Sequence, residues 1–250
     1  MRGPAGLGGL GDVGRLGDVG ALPRARRWPW LLLLAALLPL VWLLAQRGSG
    51  PDTAPTTLSA AQLEGERGPG CVRLAVMSDD SSSMLRFSAA RTAAVQEVLR
   101  WAPGNLRGDD QLTVVDFAGS AATTLPTVAI ADSAGAQPVP PPALLDGTSL
   151  TSALEELAAR GASPCRTLAV VVSDGFVDET DRGEVAASVD RAGIESVVLL
   201  LPSRQLDVPS TWRAVLPDAA VVGADAADPR ATALALGRVL ADFLGVRLGA

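Results

Sequence analysis

The stretch VRLAVMSDDSSSM, residues 72–84, joins an apolar run to a turn that is rich in carboxyl and hydroxyl groups. Residues 72–78 are almost uniformly apolar, which is typical of a strand buried on both faces of a parallel sheet. Asp79, Ser81 and Ser83 then recur at every second position. Because Asp and Ser are favoured in turns and at helix N-termini, the stretch predicts a buried strand that ends in a turn leading into a helix.

Further apolar runs and helical patterns alternate along the rest of the chain. This alternation predicts an α/β fold: a doubly wound, Rossmann-like and mostly parallel sheet with helices on both faces. The run at 123–130 follows the preceding strand after a short turn and contains Pro126, so we predict an antiparallel edge strand there. The other predicted strands cover 111–118, 167–173, 196–202 and 219–224, and apolar helical stripes cover 87–101, 150–157 and 236–243.

The composition excludes several kinds of chemistry. The 250 residues include no His, and all 21 basic residues are Arg. Nucleophilic sites that need an imidazole, Schiff bases that need a lysine amine and most catalytic zinc sites are therefore excluded. Oxygen-bound hard cations and plain binding remain, and we expect a protein that is not an enzyme. The Ala, Arg, Gly and Pro bias is typical of a GC-rich, actinobacteria-like genome, which also accounts for the missing Lys.

Charge is unevenly distributed along the chain. Residues 1–27 contain five Arg and two Asp, whereas residues 48–250 contain fifteen Arg and twenty-five acidic residues, a net charge of minus ten. A surface of this sign repels the phosphate backbone of nucleic acids. We therefore exclude nucleic acid as a partner.

The segment WPWLLLLAALLPLVWLLA, residues 28–45, contains no charge. Eighteen helical residues extend about 27 Å, which is enough to cross the hydrocarbon core of a bilayer. Arg24, Arg26 and Arg27 precede the segment, and the positive-inside rule then places the N-terminus in the cytoplasm. A cleaved signal peptide is the alternative interpretation, but no small-x-small pair ends the apolar run. Both interpretations export the rest of the chain.

These features predict a single-pass protein of the cell membrane whose C-terminal domain is extracytoplasmic. Residues 47–70 are rich in Gly, Pro and Thr and contain few large apolar residues, a composition that predicts a stalk between the membrane and the domain. The predicted segments are a flexible Gly/Arg-rich cytoplasmic tail (1–27), a transmembrane signal-anchor helix (28–46), a stalk (47–70) and a folded domain (71–250).

Oxygen-bearing side chains follow or precede three of the predicted elements. Asp79, Ser81 and Ser83 follow the first strand, Thr148 precedes the helix at 150, and Asp174 follows the strand at 167–173. Ligands of doubly wound sheets bind at the carboxyl ends of the strands, and oxygen atoms are the ligands of hard divalent cations. A site for a hard divalent cation such as Mg²⁺ is therefore predicted, although each segment alone is also explained by a turn or a helix N-cap.

The motifs D-x-S-x-S-M, G-T-x-L and S-D-G, in this order, resemble those of the von Willebrand factor type A (vWA) domain with its metal-ion-dependent adhesion site. The resemblance implies the strand order 3-2-1-4-5-6. It also implies that Ser81, Ser83 and Thr148 bind Mg²⁺ or Mn²⁺, that Asp79 and Asp174 complete the site, and that a partner's Asp or Glu is the last ligand. The family usually has Gly where this chain has Ser82. If that position needs a positive φ, serine costs about 1 kcal/mol there.

The strand order that the resemblance implies makes the strands after Cys71 and Cys165 neighbours. Both cysteines precede their site aspartates by eight or nine residues, so both lie at the amino-terminal edge of the sheet. Adjacent strands are about 4.8 Å apart, a distance that a disulfide bridges. A Cys71–Cys165 disulfide is predicted for the exported domain, with two buried free thiols as the alternative.

We therefore expect a membrane-anchored, extracytoplasmic domain that binds a protein partner through a divalent cation, rather than a small-molecule substrate. The alternative is a structural or assembly subunit of a membrane complex whose metal site is weak or vestigial. Metal-assisted phosphoester hydrolysis is a third interpretation, but the chain lacks an evident general acid. Around the site, Asp178, Glu179 and Asp181 are expected as solvated loop charges, and Trp212 as a packed side chain.

Overall fold

A computed structural model describes residues 54–133, 135–140, 146–225 and 228–250. The predicted tail (1–27), the predicted transmembrane helix (28–46) and the first part of the predicted stalk lie outside these residues. Among the helices of the described ranges, none is both long enough and apolar enough to cross a membrane.

Six of the strands in the described residues form one sheet, in the order β4-β3-β2-β5-β6-β7. Only β4 runs antiparallel to its neighbour, and it lies at an edge as predicted. Counted along the chain from β2, the order is 3-2-1-4-5-6, which confirms the order that the vWA resemblance implied. The strands are β1 (Gln62–Glu64), β2 (Val72–Asp79), β3 (Gln111–Phe117), β4 (Ala121–Ala129), β5 (Arg166–Val172), β6 (Ile194–Leu201), β7 (Ala220–Gly223) and β8 (Arg247–Gly249).

Helices cover both faces of this sheet. Leu74 and Val76 of β2 belong to one apolar core, whereas Ala75 and Met77 belong to the other. The central strands are therefore apolar on both sides, because α1 and α5 pack on one face and α2, α3 and α4 on the other. Trp212 of α4 is 1% exposed, so its predicted packing role is confirmed. The helices are α1 (Ser88–Asn105), α2 (Leu150–Ala159), α3 (Arg182–Arg191), α4 (Ser210–Val215) and α5 (Pro229–Leu244).

Residues 54–64, the N-terminal strap, pack against the domain. Leu58 is 0% exposed in the core formed with α1 and α5, and Ala61 accepts a 2.8 Å hydrogen bond from the Trp101 indole. Strand β1 pairs with β8, so the strap also contacts the C-terminal end of the described chain. Residues 54–64 of the predicted stalk therefore pack against the folded domain. Leu58 and Ala61 are isolated apolar residues in a polar segment and make no recognisable sequence pattern, although tertiary contacts bury both.

Cys71 and Cys165 form a disulfide, and their Cα atoms are 4.7 Å apart. The predicted bond is confirmed. The amide of Arg166 also donates a 3.1 Å hydrogen bond to the Cys71 carbonyl, so the disulfide extends the pairing of β2 with β5 by one step.

Candidate metal centre

Three polar segments lie at the carboxyl edge of the sheet. They are the Ser-rich turn (residues 79–84) after β2, the Thr148 loop (residues 146–149) before α2 and the Asp174 loop (residues 173–181) after β5. Strand β2 lies between β3 and β5, and its parallel register with both continues to Ser78. The three strands consequently end at the same level, so the Ser-rich turn and the Asp174 loop start from neighbouring points.

Backbone hydrogen bonds connect two of these segments to the end of β3. The amide of Asp80 donates to the Phe117 carbonyl at 2.7 Å, and the amide of Ser149 donates to the Ala118 carbonyl at 2.6 Å. The Ser-rich turn and the Thr148 loop are thus attached to consecutive residues. This attachment brings together segments that are about seventy residues apart in sequence.

The Ser-rich turn contains a closely spaced pair of hydroxyl groups. Asp79 is 0% exposed, and its Oδ1 accepts a 2.9 Å hydrogen bond from the Ser81 amide. The Oγ atoms of Ser81 and Ser83 are 3.2 Å apart. Two oxygen ligands at right angles around Mg²⁺, each about 2.1 Å from it, are about 3.0 Å apart. The spacing of the two serines therefore fits adjacent corners of a magnesium octahedron.

Ser82, which stands where the vWA family usually has Gly, begins a short 3-10 turn that extends to Phe87. A 3-10 turn has negative φ angles, which any L-residue adopts without strain. The side chain of Ser82 is exposed, so it also has room. Ser82 therefore does not need a positive φ, and the backbone strain expected for a serine at this position does not arise.

Asp79 is a buried carboxyl group with two hydroxyl-bearing neighbours. Its Oδ2 accepts a 2.5 Å hydrogen bond from Ser173, which itself accepts a 2.9 Å bond from the Gly175 amide. Burial raises the pKa of Asp79, the hydrogen bonds from Ser173 and Ser81 oppose this, and the charge of Asp174 raises the pKa further. A positive charge at this edge of the sheet would favour the ionised form of Asp79. Ser173 was missed by sequence reasoning, although it is the serine of the S-D-G motif.

Asp174 lies at the start of its loop and is partly exposed. Its Oδ1 accepts a 3.2 Å hydrogen bond from the Phe176 amide, and its charge acts on the buried Asp79. Gly175 has a φ of 81°, and a Cβ atom there would be 3.0 Å from Pro209. The turn after Asp174 therefore requires glycine, and it directs the chain away from the strand immediately after the carboxylate.

The Thr148 loop is held by the Asp174 loop. The Thr148 amide donates a 2.6 Å hydrogen bond to Asp178 Oδ2, and the Asp178 amide donates a 3.0 Å bond to the Thr148 carbonyl. On its other side the loop closely approaches the end of β3, since a Cβ atom on Gly119 would be 2.2 Å from the Asp146 carbonyl oxygen. Thr148 is 8% exposed and has little freedom to move.

Asp178 is exposed and Glu179 is partly exposed, as expected for loop charges, but both also accept hydrogen bonds from the Thr148 loop and the start of α2. Asp178 holds Thr148, and Glu179 Oε1 accepts hydrogen bonds from the Thr151 amide at 2.8 Å and from Ser149 Oγ at 3.0 Å. Asp181 is exposed, but its Oδ1 caps α3 through the Gly183 amide at 2.7 Å. The sequence did not predict these hydrogen bonds, because the partners of Asp178 and Glu179 are about thirty residues away, where no local pattern reveals them.

All five predicted metal-site residues lie on the three segments at this edge. Asp79, Ser81 and Ser83 form one hydrogen-bonded unit, Asp174 interacts with it through its charge, and Thr148 lies on the adjoining loop. In the described part of the chain, no three His, Cys, Asp or Glu side chains form a group that could hold a metal ion. A metal bound by these residues would therefore need hydroxyl ligands in addition to carboxylates.

The chain thus contains an α/β domain with a polar centre at the carboxyl edge of its sheet. Hydroxyl and carboxyl groups form this centre. Solved structures identify this fold as that of the vWA domain. One is a von Willebrand factor type A protein from Catenulispora acidiphila, with a TM-score of 0.52 and 16% identity, covering 70% of this chain and 43% of that one. No protein-family model matches the chain, and no curated protein matches it with significant similarity.

Two further solved structures have the same fold, one from the mussel byssus and one from a bacterial pilus. Proximal thread matrix protein 1 from the mussel byssus, with a zinc-occupied metal-ion-dependent adhesion site, has a TM-score of 0.51 and 18% identity over 70% of this chain and 48% of that one. The pilus adhesin SpaC from Lactobacillus rhamnosus GG has a TM-score of 0.52 and 13% identity over 72% of this chain and 31% of that one. In all three comparisons the match spans less than half of the other chain.

Proposed function

We propose that this domain binds a protein partner through a divalent cation, Mg²⁺ or Mn²⁺, at the carboxyl edge of its sheet. Ser81, Ser83 and Thr148 would bind the ion directly, while Asp79 and Asp174 would orient the serines and the bound waters. The observation that carries the proposal is the 3.2 Å spacing of the Ser81 and Ser83 hydroxyls above the buried Asp79. The zinc-occupied site of the mussel protein, which has the same fold, supports it.

The proposed ligand set explains why the partner should be acidic. Neutral hydroxyl groups leave most of the charge of a divalent cation uncompensated, so the ion would attract an anionic ligand. Buried Asp79 is already engaged by Ser81 and Ser173, and is not free to approach an ion fully. A carboxylate from Asp or Glu of the partner would supply the missing negative charge.

Exposed apolar side chains beside the centre favour a protein as the partner. Leu85, just after the Ser-rich turn, is 49% exposed, and Phe176, two residues after Asp174, is 62% exposed. Aromatic and apolar side chains at such positions commonly become buried in protein interfaces. The sequence contains no His and no Lys, so we propose binding rather than catalysis.

We also propose an extracytoplasmic location for the domain, attached to the cell membrane by residues 28–46. The uncharged segment and the three preceding arginines support this topology. The Cys71–Cys165 disulfide supports export, because such bonds persist in oxidising compartments.

Mn²⁺ titration of the full-length protein, followed by the electron paramagnetic resonance signal of free Mn²⁺, tests the metal centre. We expect one bound ion in the wild type and at least tenfold weaker binding in Thr148→Val, which loses one hydroxyl ligand without losing volume. Thr232→Val is the control, because Thr232 is another buried threonine and lies on α5. Absence of Mn²⁺ binding in the wild type would contradict the proposal and favour the structural or assembly role.

The relaxation of water protons by bound Mn²⁺ tests the anionic ligand. An acidic peptide that replaces a metal-bound water should lower the relaxation enhancement, whereas the corresponding amide peptide should leave it unchanged. Equal responses to the two peptides would contradict recognition of a carboxylate.

A further inference from the structure

Arg91 is a buried cation directly beneath the Ser-rich turn. It lies on α1 and is only 4% exposed. A buried charge is tolerated when hydrogen bonds and an opposite charge compensate for its lost hydration. The surroundings of Arg91 provide both.

Each of the three guanidinium nitrogens of Arg91 donates to a different group. Nε donates to Ser78 Oγ at 3.0 Å, Nη1 donates to the Met84 carbonyl at 3.0 Å, and Nη2 forms an ion pair with Asp80. Ser78 precedes the Ser-rich turn, Asp80 lies within it and Met84 ends it. One rigid planar group therefore connects α1 to both ends of the segment that contains Ser81 and Ser83.

The ion pair also determines the role of Asp80. This residue lies between Asp79 and Ser81, where a free carboxylate could bind a cation itself or repel the other acidic groups. Its Oδ1 is engaged by Arg91, and its side chain is only 16% exposed. Arg91 thereby balances the charge of one of the three carboxylates of Asp79, Asp80 and Asp174, and it engages an oxygen of Asp80 that could otherwise bind a cation.

We propose that Arg91 is the positioning residue of the metal centre: it holds the Ser-rich turn in the conformation that pairs the Ser81 and Ser83 hydroxyls, and it keeps Asp80 away from the ion. This inference rests on the proposed metal-binding function. It assigns to a residue outside the three sequence motifs a direct effect on metal affinity.

A set of variants separates positioning from general stabilisation. Arg91→Met alone leaves Asp80 buried without its partner, so the principal variant is Arg91→Met combined with Asp80→Asn. Arg91→Lys keeps a positive charge, but a single ammonium cannot donate to three groups that lie in different directions. Arg100→Met is the matched control, since Arg100 is an exposed arginine on the same helix.

The measurements are the Mn²⁺ dissociation constant of the full-length protein and its thermal unfolding in EDTA. We expect 10- to 100-fold weaker Mn²⁺ binding in the double variant and about tenfold weaker binding in Arg91→Lys, with wild-type affinity in Arg100→Met. A purely structural role would lower the unfolding temperature in EDTA and leave the dissociation constant of the folded protein unchanged.

Each outcome decides between the two proposals. Wild-type Mn²⁺ affinity in the folded double variant would overturn the role of Arg91 and leave the metal-binding function intact. If the double variant does not fold, Arg91→Lys decides, and wild-type affinity there overturns the inference. A wild-type protein that does not bind Mn²⁺ contradicts the proposed function, and the inference fails with it.

Discussion

At the scale of single residues, two buried aspartates show how hydrogen-bond partners determine the charge state of a carboxyl group. Burial alone would raise the pKa of Asp110, but hydrogen bonds from the Arg67 side chain and from two backbone amides outweigh it, so the pKa is lowered. Burial also raises the pKa of Asp116, and there the bond from Thr124 only partly opposes the effect. The two groups therefore contribute to stability with opposite dependence on pH.

The variants Asp110→Asn and Asp116→Asn should show this opposition. A lowered pKa means that Asp110 stabilises the fold above its ordinary pKa and that this contribution is lost as pH falls through the folded value. Asp110→Asn should therefore lower the free energy of unfolding by about 2 kcal/mol at pH 7, and by less as the pH is lowered. Urea unfolding in EDTA across the acidic and neutral range measures the difference from wild type.

For Asp116 the sign is reversed. Its raised pKa means that its stabilising contribution is complete below the ordinary pKa and is lost as pH rises through the folded value. Relative to wild type, Asp116→Asn should therefore gain stability as the pH increases. The same pH trend in both variants would contradict this account.

At the scale of secondary-structure elements, the disulfide connects the starts of β2 and β5. These are neighbouring strands in the sheet, although 94 residues separate the two cysteines. Closing so long a loop lowers the entropy of the unfolded chain, which stabilises the folded state. The strands that end at the Ser-rich turn and at the Asp174 loop are thereby joined at their opposite ends.

The double variant Cys71→Ser/Cys165→Ser should lower the free energy of unfolding by about 4 kcal/mol and the melting temperature by about 10 °C. Calorimetry of the oxidised wild type, the reduced wild type and the variant measures the effect, and the last two should agree. A loss below about 1 kcal/mol would show that the unfolded chain gains little freedom when the bond is absent.

At the scale of the whole described domain, the N-terminal strap packs against α1 and α5 and pairs with the last described strand, β8. Leu58 lies against Gly237 of α5, where a Cβ atom would be 2.4 Å from Leu58 Cδ1. Leu63 donates its amide to Asn105 Oδ1 at 3.0 Å, and β1 pairs with β8. The strap covers the side of the fold on which α1 and α5 pack.

A chain that starts at Asp52 should be several kcal/mol more stable than one that starts at Cys71. The shorter chain loses the burial of Leu58 and Ala61 and exposes the apolar surfaces of α1 and α5 that they cover. Leu58→Ala in the longer chain isolates part of this effect and should cost about 2 to 5 kcal/mol. Equal unfolding free energies for the two chains would show that the strap does not stabilise the domain.

Sequence patterns alone predicted the buried strands, the order of the three polar motifs and, with the vWA resemblance, the strand order and the Cys71–Cys165 bond. These features were accessible because apolar periodicity and motif spacing are local properties of the chain. The same patterns could not show that Leu58 is a core residue, that Asp178 accepts a hydrogen bond from the Thr148 amide or that Arg91 donates hydrogen bonds to both ends of the Ser-rich turn. Those roles depend on partners that only the folded arrangement brings within hydrogen-bond or van der Waals distance, so the tertiary structure alone decided them.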